Sequence, residues 1–265
     1  MAIRYQPGAP NHQFQIPHWA GNQQQGALAG SEWMPKPPSN SDVPQGLEYL
    51  ALVDRILIKQ KREMMEIVFG WERNNRYFIM NGVGQQIYYA FESTDACSRQ
   101  CCGQQRAFCI HLVDNFNHEV MRISREFNCC GGSFPCCAEQ GSCCAHMVCV
   151  EAPPGNVIGY ISHRPSCACV NAYEVYDHTE QTVLTIDSPD CCIMSFGCGD
   201  KVFNVYSMER YEIGSVRKRW TGILQESFTD ADNFGVNFPL DLPVRLKAIL
   251  IGATFLIDFD NFENR

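Results

Sequence analysis

From Gly46 onward the apolar and polar positions of this chain repeat as strand, turn, strand. Cys109–Asp114 turns at Asn115-Phe116-Asn117 into Val120–Ser124, and Met147–Ala152 turns at Pro153-Pro154-Gly155-Asn156 into Val157–Ser162. Ala172–Tyr176 turns at Asp177–Glu180 into Val183–Ile186, and Val202–Ser207 turns at Met208–Tyr211 into Glu212–Val216. Each unit sets β-branched and aromatic residues around a polar turn, which predicts a hairpin. Helical periodicity is nearly absent before Leu242, apart from one turn carried by Leu47, Leu50 and Ala51. A meander of this length must close on itself or be covered, because open strand edges invite pairing with other chains.

Near the C-terminus the pattern changes to a continuous apolar run, Ala248–Ile257, with Arg245 and Lys247 before it and Asp258 and Asp260 after it. As a helix this run spans roughly 15 Å at ~1.5 Å per residue, about half of a ~30 Å hydrocarbon core. A helix that is apolar on every face has to sit inside something, either an enclosure of protein or a membrane. The sheet supplies the enclosure: a closed barrel needs a filler and the helix needs a wall. The fold class predicted is therefore mostly β, a closed antiparallel barrel around a hydrophobic C-terminal helix.

Composition adjusts this picture at the ends of the chain. Residues 1–45 are dominated by Pro, Gly, Gln and Asn and predict a disordered segment, leaving 46–265 as the folded domain. Pro35-Lys36-Pro37-Pro38 contains a minimal PxxP, a candidate SH3 or WW ligand. The formal net charge of −8 disfavours nucleic-acid binding. The N-terminus has no apolar signal region, so the 16 cysteines are expected as free thiols in a reducing compartment.

Three groups of residues carry candidate chemistry. The first is Asp230–Asp241, which counted from Asp230 sets carboxylates at positions 1, 3 and 12 and Gly235 at position 6, as an EF-hand loop does. Position 7 needs only a carbonyl, so Val236 is admissible. Phe234 and Phe238 stand where oxygen ligands are usual, and Asp241 is short for the bidentate Glu. The other reading is a turn at Asp232–Gly235 with Asp241 as helix N-cap before Pro243. The second group is the cysteine pairs Cys129-Cys130, Cys136-Cys137 and Cys143-Cys144. Adjacent cysteines are poorly placed to bridge each other. They can carry thioester-linked acyl chains, each buried CH₂ contributing ~0.8 kcal/mol, bind zinc with His146 nearby, or remain plain thiols. The third is Arg217-Lys218-Arg219 before Trp220, either a short nuclear-import signal or a solvated strand edge. No histidine falls in a nucleophile motif, and His111 and His118, beside a turn, are expected at the surface. Gly197-Cys198-Gly199 lacks the rest of a phosphate-binding fingerprint, and nothing in the sequence predicts an enzyme.

Several stretches together resemble the phospholipid scramblase family: Trp33-Met34-Pro35, Gly46-Leu47-Glu48-Tyr49-Leu50, Cys101-Cys102-Gly103, Ala152-Pro153-Pro154-Gly155, and Trp220-Thr221-Gly222-Ile223-Leu224 running through Phe228–Asp241 into Phe255-Leu256-Ile257-Asp258-Phe259. The resemblance covers about Trp33 to Glu263. It implies a tubby-like barrel around a central helix and a calcium-activated, ATP-independent, bidirectional movement of phospholipid between leaflets. Ca2+ would be held by Asp230, Asp232, the carbonyls of Phe234 and Val236, and Asp241. Lipidation would fall on Cys129, Cys130, Cys136, Cys137, Cys143 and Cys144, placing the protein on the cytoplasmic face of the plasma membrane. Arg217, Lys218, Arg219 and Trp220 match the region associated with nuclear import in relatives, an oligomer being compatible with all of this. Here the family's compact cysteine run is drawn out into three pairs, and the proline-rich region is short. The alternative is an acyl-anchored lipid-binding or signalling module with a nuclear role, its effect on scrambling indirect. The two differ on whether the C-terminal helix is protected inside the folded domain.

Overall fold

The inward alternation of apolar residues closes the sheet on itself. The structure is a computed structural model that describes residues 32–39, 42–61, 75–93, 106–127, 145–164, 170–191, 201–219 and 233–262. Twelve strands lie among the described residues: β1 (Arg55–Lys61), β2 (Arg76–Asn81), β3 (Gln86–Glu92), β4 (Phe108–Val113), β5 (Glu119–Arg125), β6 (Met147–Glu151), β7 (Val157–Arg164), β8 (Val170–Asp177), β9 (Thr182–Cys191), β10 (Lys201–Ser207), β11 (Glu212–Arg219) and β12 (Asn233–Asn237). Each pairs antiparallel with its neighbours in sequence, and β1 pairs with β12 to close the barrel. The four expected hairpins are β4–β5, β6–β7, β8–β9 and β10–β11, extended at their far ends. β1 to β3 and β12 are additions that the hairpin pattern does not pick out.

This topology gives the barrel two unlike ends. Short turns join β2–β3, β4–β5, β6–β7, β8–β9 and β10–β11 at one of them, called here the hairpin end. The long connections, β1–β2, β3–β4, β5–β6, β7–β8, β9–β10 and β11–β12, leave from the other. A 3-10 helix, Glu48–Leu52, packs at the hairpin end beside the start of β1.

The helix α1 spans Val244–Asn261, and Lys247 through Phe259 are buried on all faces. Ile56 and Ile58, Tyr77 and Ile79, Ile110 and Leu112, Val148 and Val150, and their equivalents around the wall form one core cluster with it. The helix lies closest to β6 and β7. Two glycines make that approach possible: a Cβ on Gly252 would stand 2.7 Å from Val150 Cγ2, and one on Gly159 would stand 2.5 Å from Ile249 Cδ1. The apolar run is thus a buried plug, as the filler argument expects. Among the described residues no helix is long and apolar enough to cross a membrane.

Two expectations are revised at the ends of the helix. Lys247 and Asp258 do not flank the buried segment but enter it. Lys247, with 0% of its surface exposed, donates through Nζ to the carbonyls of Leu50 (2.9 Å), Val53 (2.9 Å) and Leu240 (2.7 Å). Nor is Asp241 the cap. It lies exposed in a turn, the cap residue is Pro243, and no side chain caps the helix. The predicted disordered segment also gives up its last part. Glu32–Met34 runs beside the start of β3, with Gln86 N–H donating to the Glu32 carbonyl and Met34 N–H to that of Gln86, both at 2.8 Å. Trp33 packs there on a small outer cluster of Phe78, Met80, Tyr89, Phe91 and Val113.

Candidate functional site

The strands that flank the three candidate groups end or begin on the side of the barrel from which the long connections leave. β5 ends at Arg125 and β6 begins at Met147, bordering the cysteine pairs; β12 begins at Asn233, just after Asp232. Asp230, Asp232, the six cysteines and Trp220 themselves lie outside the described residues. So the strand ends next to the cysteine pairs and to the two aspartates, and the end of β11 that carries Arg217 and Lys218, share one side of the barrel.

The EF-hand comparison needs residues 233–237 to be loop, and they are strand. Phe234 pairs with Ile58 and Lys218, and Val236 with Ile56 and Val216, so β12 is held on both sides and both side chains are buried in the core. Four strand steps of ~3.3 Å separate Asn233 from Asn237 by roughly 13 Å, and Asp241 lies beyond the Asn237 end. Calcium takes oxygen ligands at about 2.3–2.6 Å. One ion therefore cannot draw on Asp241 and on the Asn233 end together, and Phe234, Val236 and Asp241 do not converge as a ligand set. Counting loop positions hid this, because spacing along a presumed loop says nothing about a strand inserted in it.

Polar side chains seal the same end around the last turn of α1. Asp260 Oδ1 lies 2.6 Å from His146 Nδ1 and accepts from Arg125 Nη1 at 3.2 Å. Arg125 also donates to the Arg106 carbonyl, at 2.9 Å through Nη2, and stacks over Phe108. Asn261 Nδ2 donates to Tyr173 Oη at 2.9 Å. Burial, then the nearby Asp260 charge, pushes the Tyr173 phenol well above its usual range. His146, weighed above as a zinc neighbour of the cysteines, is thus engaged with the helix.

The basic triplet divides. Arg217 is exposed, but Lys218 is only 12% exposed and turns into the barrel mouth, over the Phe262 ring at 3.9 Å and 3.9 Å from Asp258 Oδ1. The side chain of Arg219 is outside the described set. On the N-terminal side, Pro35, Lys36 and Pro38 are exposed and Pro37 half-buried.

His111 is not at the surface. It is 2% exposed, stacked on Phe91, with Nε2 2.8 Å from Ser93 Oγ and Nδ1 2.6 Å from Glu119 Oε1. His118 is exposed, as expected. The serine, histidine and glutamate come from three successive strands or their ends, so no linear motif marks them. Their geometry is that of a proton relay, yet Arg122 holds both oxygens of Glu119 at 2.9 Å. The neighbouring Cys109 thiol is pushed up to about 12 by burial and stays neutral.

The match to known proteins runs through both the barrel and its plug. The family model described as Scramblase matches residues 34–264. The chain belongs to the scramblase family. It is 44% identical over 239 residues to phospholipid scramblase 1 of Homo sapiens, covering 89% of this chain and 71% of that one. With phospholipid scramblase 2 of Bos taurus it shares 40% over 251 residues, covering 94% and 82%. Phospholipid scramblase family member 5 of Homo sapiens is 33% identical over 263 residues, 97% and 92% of the two chains. The family's barrel-and-helix architecture expected from the resemblance is the architecture of this chain.

Proposed function

We propose that this scramblase-family chain moves phospholipids in both directions between membrane leaflets, without ATP and under calcium control. Family membership over residues 34–264, with relatives named phospholipid scramblases, carries this reading. The protein would act from the cytoplasmic face of the plasma membrane, held there by acyl chains on the pairs within Cys129–Cys144. Two chains give stable anchoring where one is marginal. Asp230 and Asp232 would provide the carboxylates for calcium. In support, the strands bordering both segments end on the same side of the barrel, so a cation and a lipid anchor would act at one surface.

A second reading is favoured by one observation, the enclosure of α1 by the wall. A helix held inside the barrel offers lipid no path across the bilayer, and any spanning form would have to keep its backbone hydrogen bonds satisfied. On that reading the protein is an acyl-anchored lipid-binding or adaptor module, with Pro35–Pro38 as a handle for a partner.

The test is lipid movement in proteoliposomes with the pure protein, with and without calcium, beside Asp230→Ala/Asp232→Ala. Calcium-dependent movement lost in the variant is the expected result. A folded, vesicle-bound protein that moves no lipid would leave the module reading in its place.

A further inference from the structure

Outside the barrel, β7 to β10 carry a cleft of about 250 Å³ lined by Arg164, Glu174, Thr182, Thr185, Ser207 and Arg210, with Met208 at its lip. Strand alternation explains its polarity. Tyr173 and Val175, Leu184 and Ile186, and Phe203 and Val205 point into the core, which turns Glu174, Thr185 and Asp187 outward between them.

The charges in the cleft are arranged in alternation. Asp187 sits between two guanidiniums, accepting from Arg164 Nη2 at 3.0 Å and from Arg210 Nη1 at 2.9 Å. Glu174 stands beside Arg164 at 3.9 Å and accepts from Tyr176 Oη. A guanidinium has five N–H donors, and Asp187 occupies one on each arginine, so most of their donors stay available to a ligand. Thr185 adds the second observation. It is 8% exposed, faces the cleft, and its Oγ1 has no hydrogen-bond partner. A buried hydroxyl left unpaired is costly, and a ligand oxygen in the cleft would satisfy it.

The charge balance selects the ligand. A bare anion entering the cleft meets Asp187 and Glu174, and a bare cation meets Arg164 and Arg210. A molecule carrying both signs can set phosphate oxygens on the arginines and hydroxyls and an ammonium on Glu174. Among the described residues no aromatic ring lines the cleft, as a quaternary ammonium would prefer, so a primary ammonium fits better. The lip points to a lipid rather than a soluble phosphate ester. Met208 and Tyr211 are exposed at the β10–β11 turn, and Leu52, Val83, Phe116 and Leu240 are exposed at the same hairpin end.

We infer that this cleft binds the zwitterionic headgroup of an aminophospholipid, with Arg164, Arg210 and Thr185 holding the phosphate and Glu174 the ammonium. The inference rests on the lipid-moving function proposed above and adds to it a headgroup site on the outer wall.

The test titrates the full-length, isotope-labelled protein with glycerophosphoethanolamine, glycerophosphocholine and inorganic phosphate, following the Thr182, Thr185 and Ser207 amides and the Arg164 and Arg210 Nε–H resonances. Glycerophosphoethanolamine should shift these signals and bind more tightly than the other two. Arg164→Gln/Arg210→Gln should weaken it about tenfold or more, and Thr185→Val, which keeps the side-chain shape, about threefold or more. Equal binding of inorganic phosphate or glycerophosphocholine would overturn the assignment, as would unchanged binding in Thr185→Val. Flotation with vesicles containing phosphatidylethanolamine against pure phosphatidylcholine vesicles separates the sources. Loss of the ethanolamine-dependent part in the double variant supports a lipid ligand, and no loss overturns it in favour of a soluble ester. Headgroup binding without lipid movement in proteoliposomes would sink the proposed function and keep the site. Movement without binding here would do the reverse.

Discussion

Gly252 stands so close to Val150 that a Cβ on it would lie 2.7 Å from Val150 Cγ2 and 3.2 Å from Ile161 Cδ1. Adding a methyl there overpacks a sealed core, which costs about 1–3 kcal/mol, while leaving glycine in a helix interior returns up to about 1 kcal/mol. Gly252→Ala is expected to lower stability by roughly 1 kcal/mol net. Gly159→Ala should cost more, because its Cβ would meet the Tyr176 carbonyl oxygen at 2.4 Å and that obstruction is backbone. Denaturant midpoints of the two variants check both size and order; either one matching the wild type would show that the plug is looser than its contacts.

Lys247 gives a pH signature of the plug. Burial lowers its pKa below the ordinary lysine value, against the opposing pull of Asp54 and Asp241. In the window between the folded and the unfolded pKa, the unfolded chain binds the extra proton, so stability rises with pH there. Lys247→Met removes that titration and leaves the Leu50, Val53 and Leu240 carbonyls without their donor, at about 1–3 kcal/mol for each buried group left unpaired. The variant should be less stable throughout, and its deficit should widen as pH climbs from neutral toward ~10.4. A deficit that narrows over that range would contradict the sign.

Glu119 titrates in the opposite sense, at the acid end. Burial opposes its charge, but the hydrogen bonds from His111 and Arg122 together outweigh it and lower its pKa. The stabilisation is therefore present above the unfolded value of ~4.3 and is lost as pH falls through the depressed folded value. Glu119→Gln is expected to cost about 1–2 kcal/mol at pH 7, with the difference from wild type closing on acidification. Thermal melts of both proteins from pH 7 downward read this directly.

Thiol reactivity should separate wall from connections. Cys109 is held neutral by burial, with its pKa pushed up to about 12, and Cys149 is buried. The thiolate is the reactive form, so both should escape N-ethylmaleimide in the native protein at pH 8 and react once it is denatured. Peptide mass spectrometry gives the answer, and native labelling of Cys109 at the rate of a free thiol would mean that the β4 wall opens.

The sequence by itself determined the hairpin units from Cys109 to Val216, the closure they require and the helix that fills it. Those conclusions rest on local alternation and on the impossibility of exposing an apolar helix, which neighbouring residues settle. It did not reveal β12, because Asn233-Phe234-Gly235-Val236-Asn237 has turn residues at its margins and becomes a strand only by pairing with β1 and β11 at once. Tertiary structure alone decided which charges are buried. Lys247 looks like a flanking charge until three carbonyls from distant residues converge on it, and Lys218 reads as one of three basic residues at a strand end, yet Phe262 and Asp258 receive it. His111 reads as a turn neighbour, yet its side chain is placed by strand pairing beside Ser93 and Glu119. Arg164, Thr185 and Arg210 share no motif either. They meet because closing the barrel curves β7 to β10 into one wall, and hydrogen bonding between strands, rather than spacing along the chain, fixes what stands next to what.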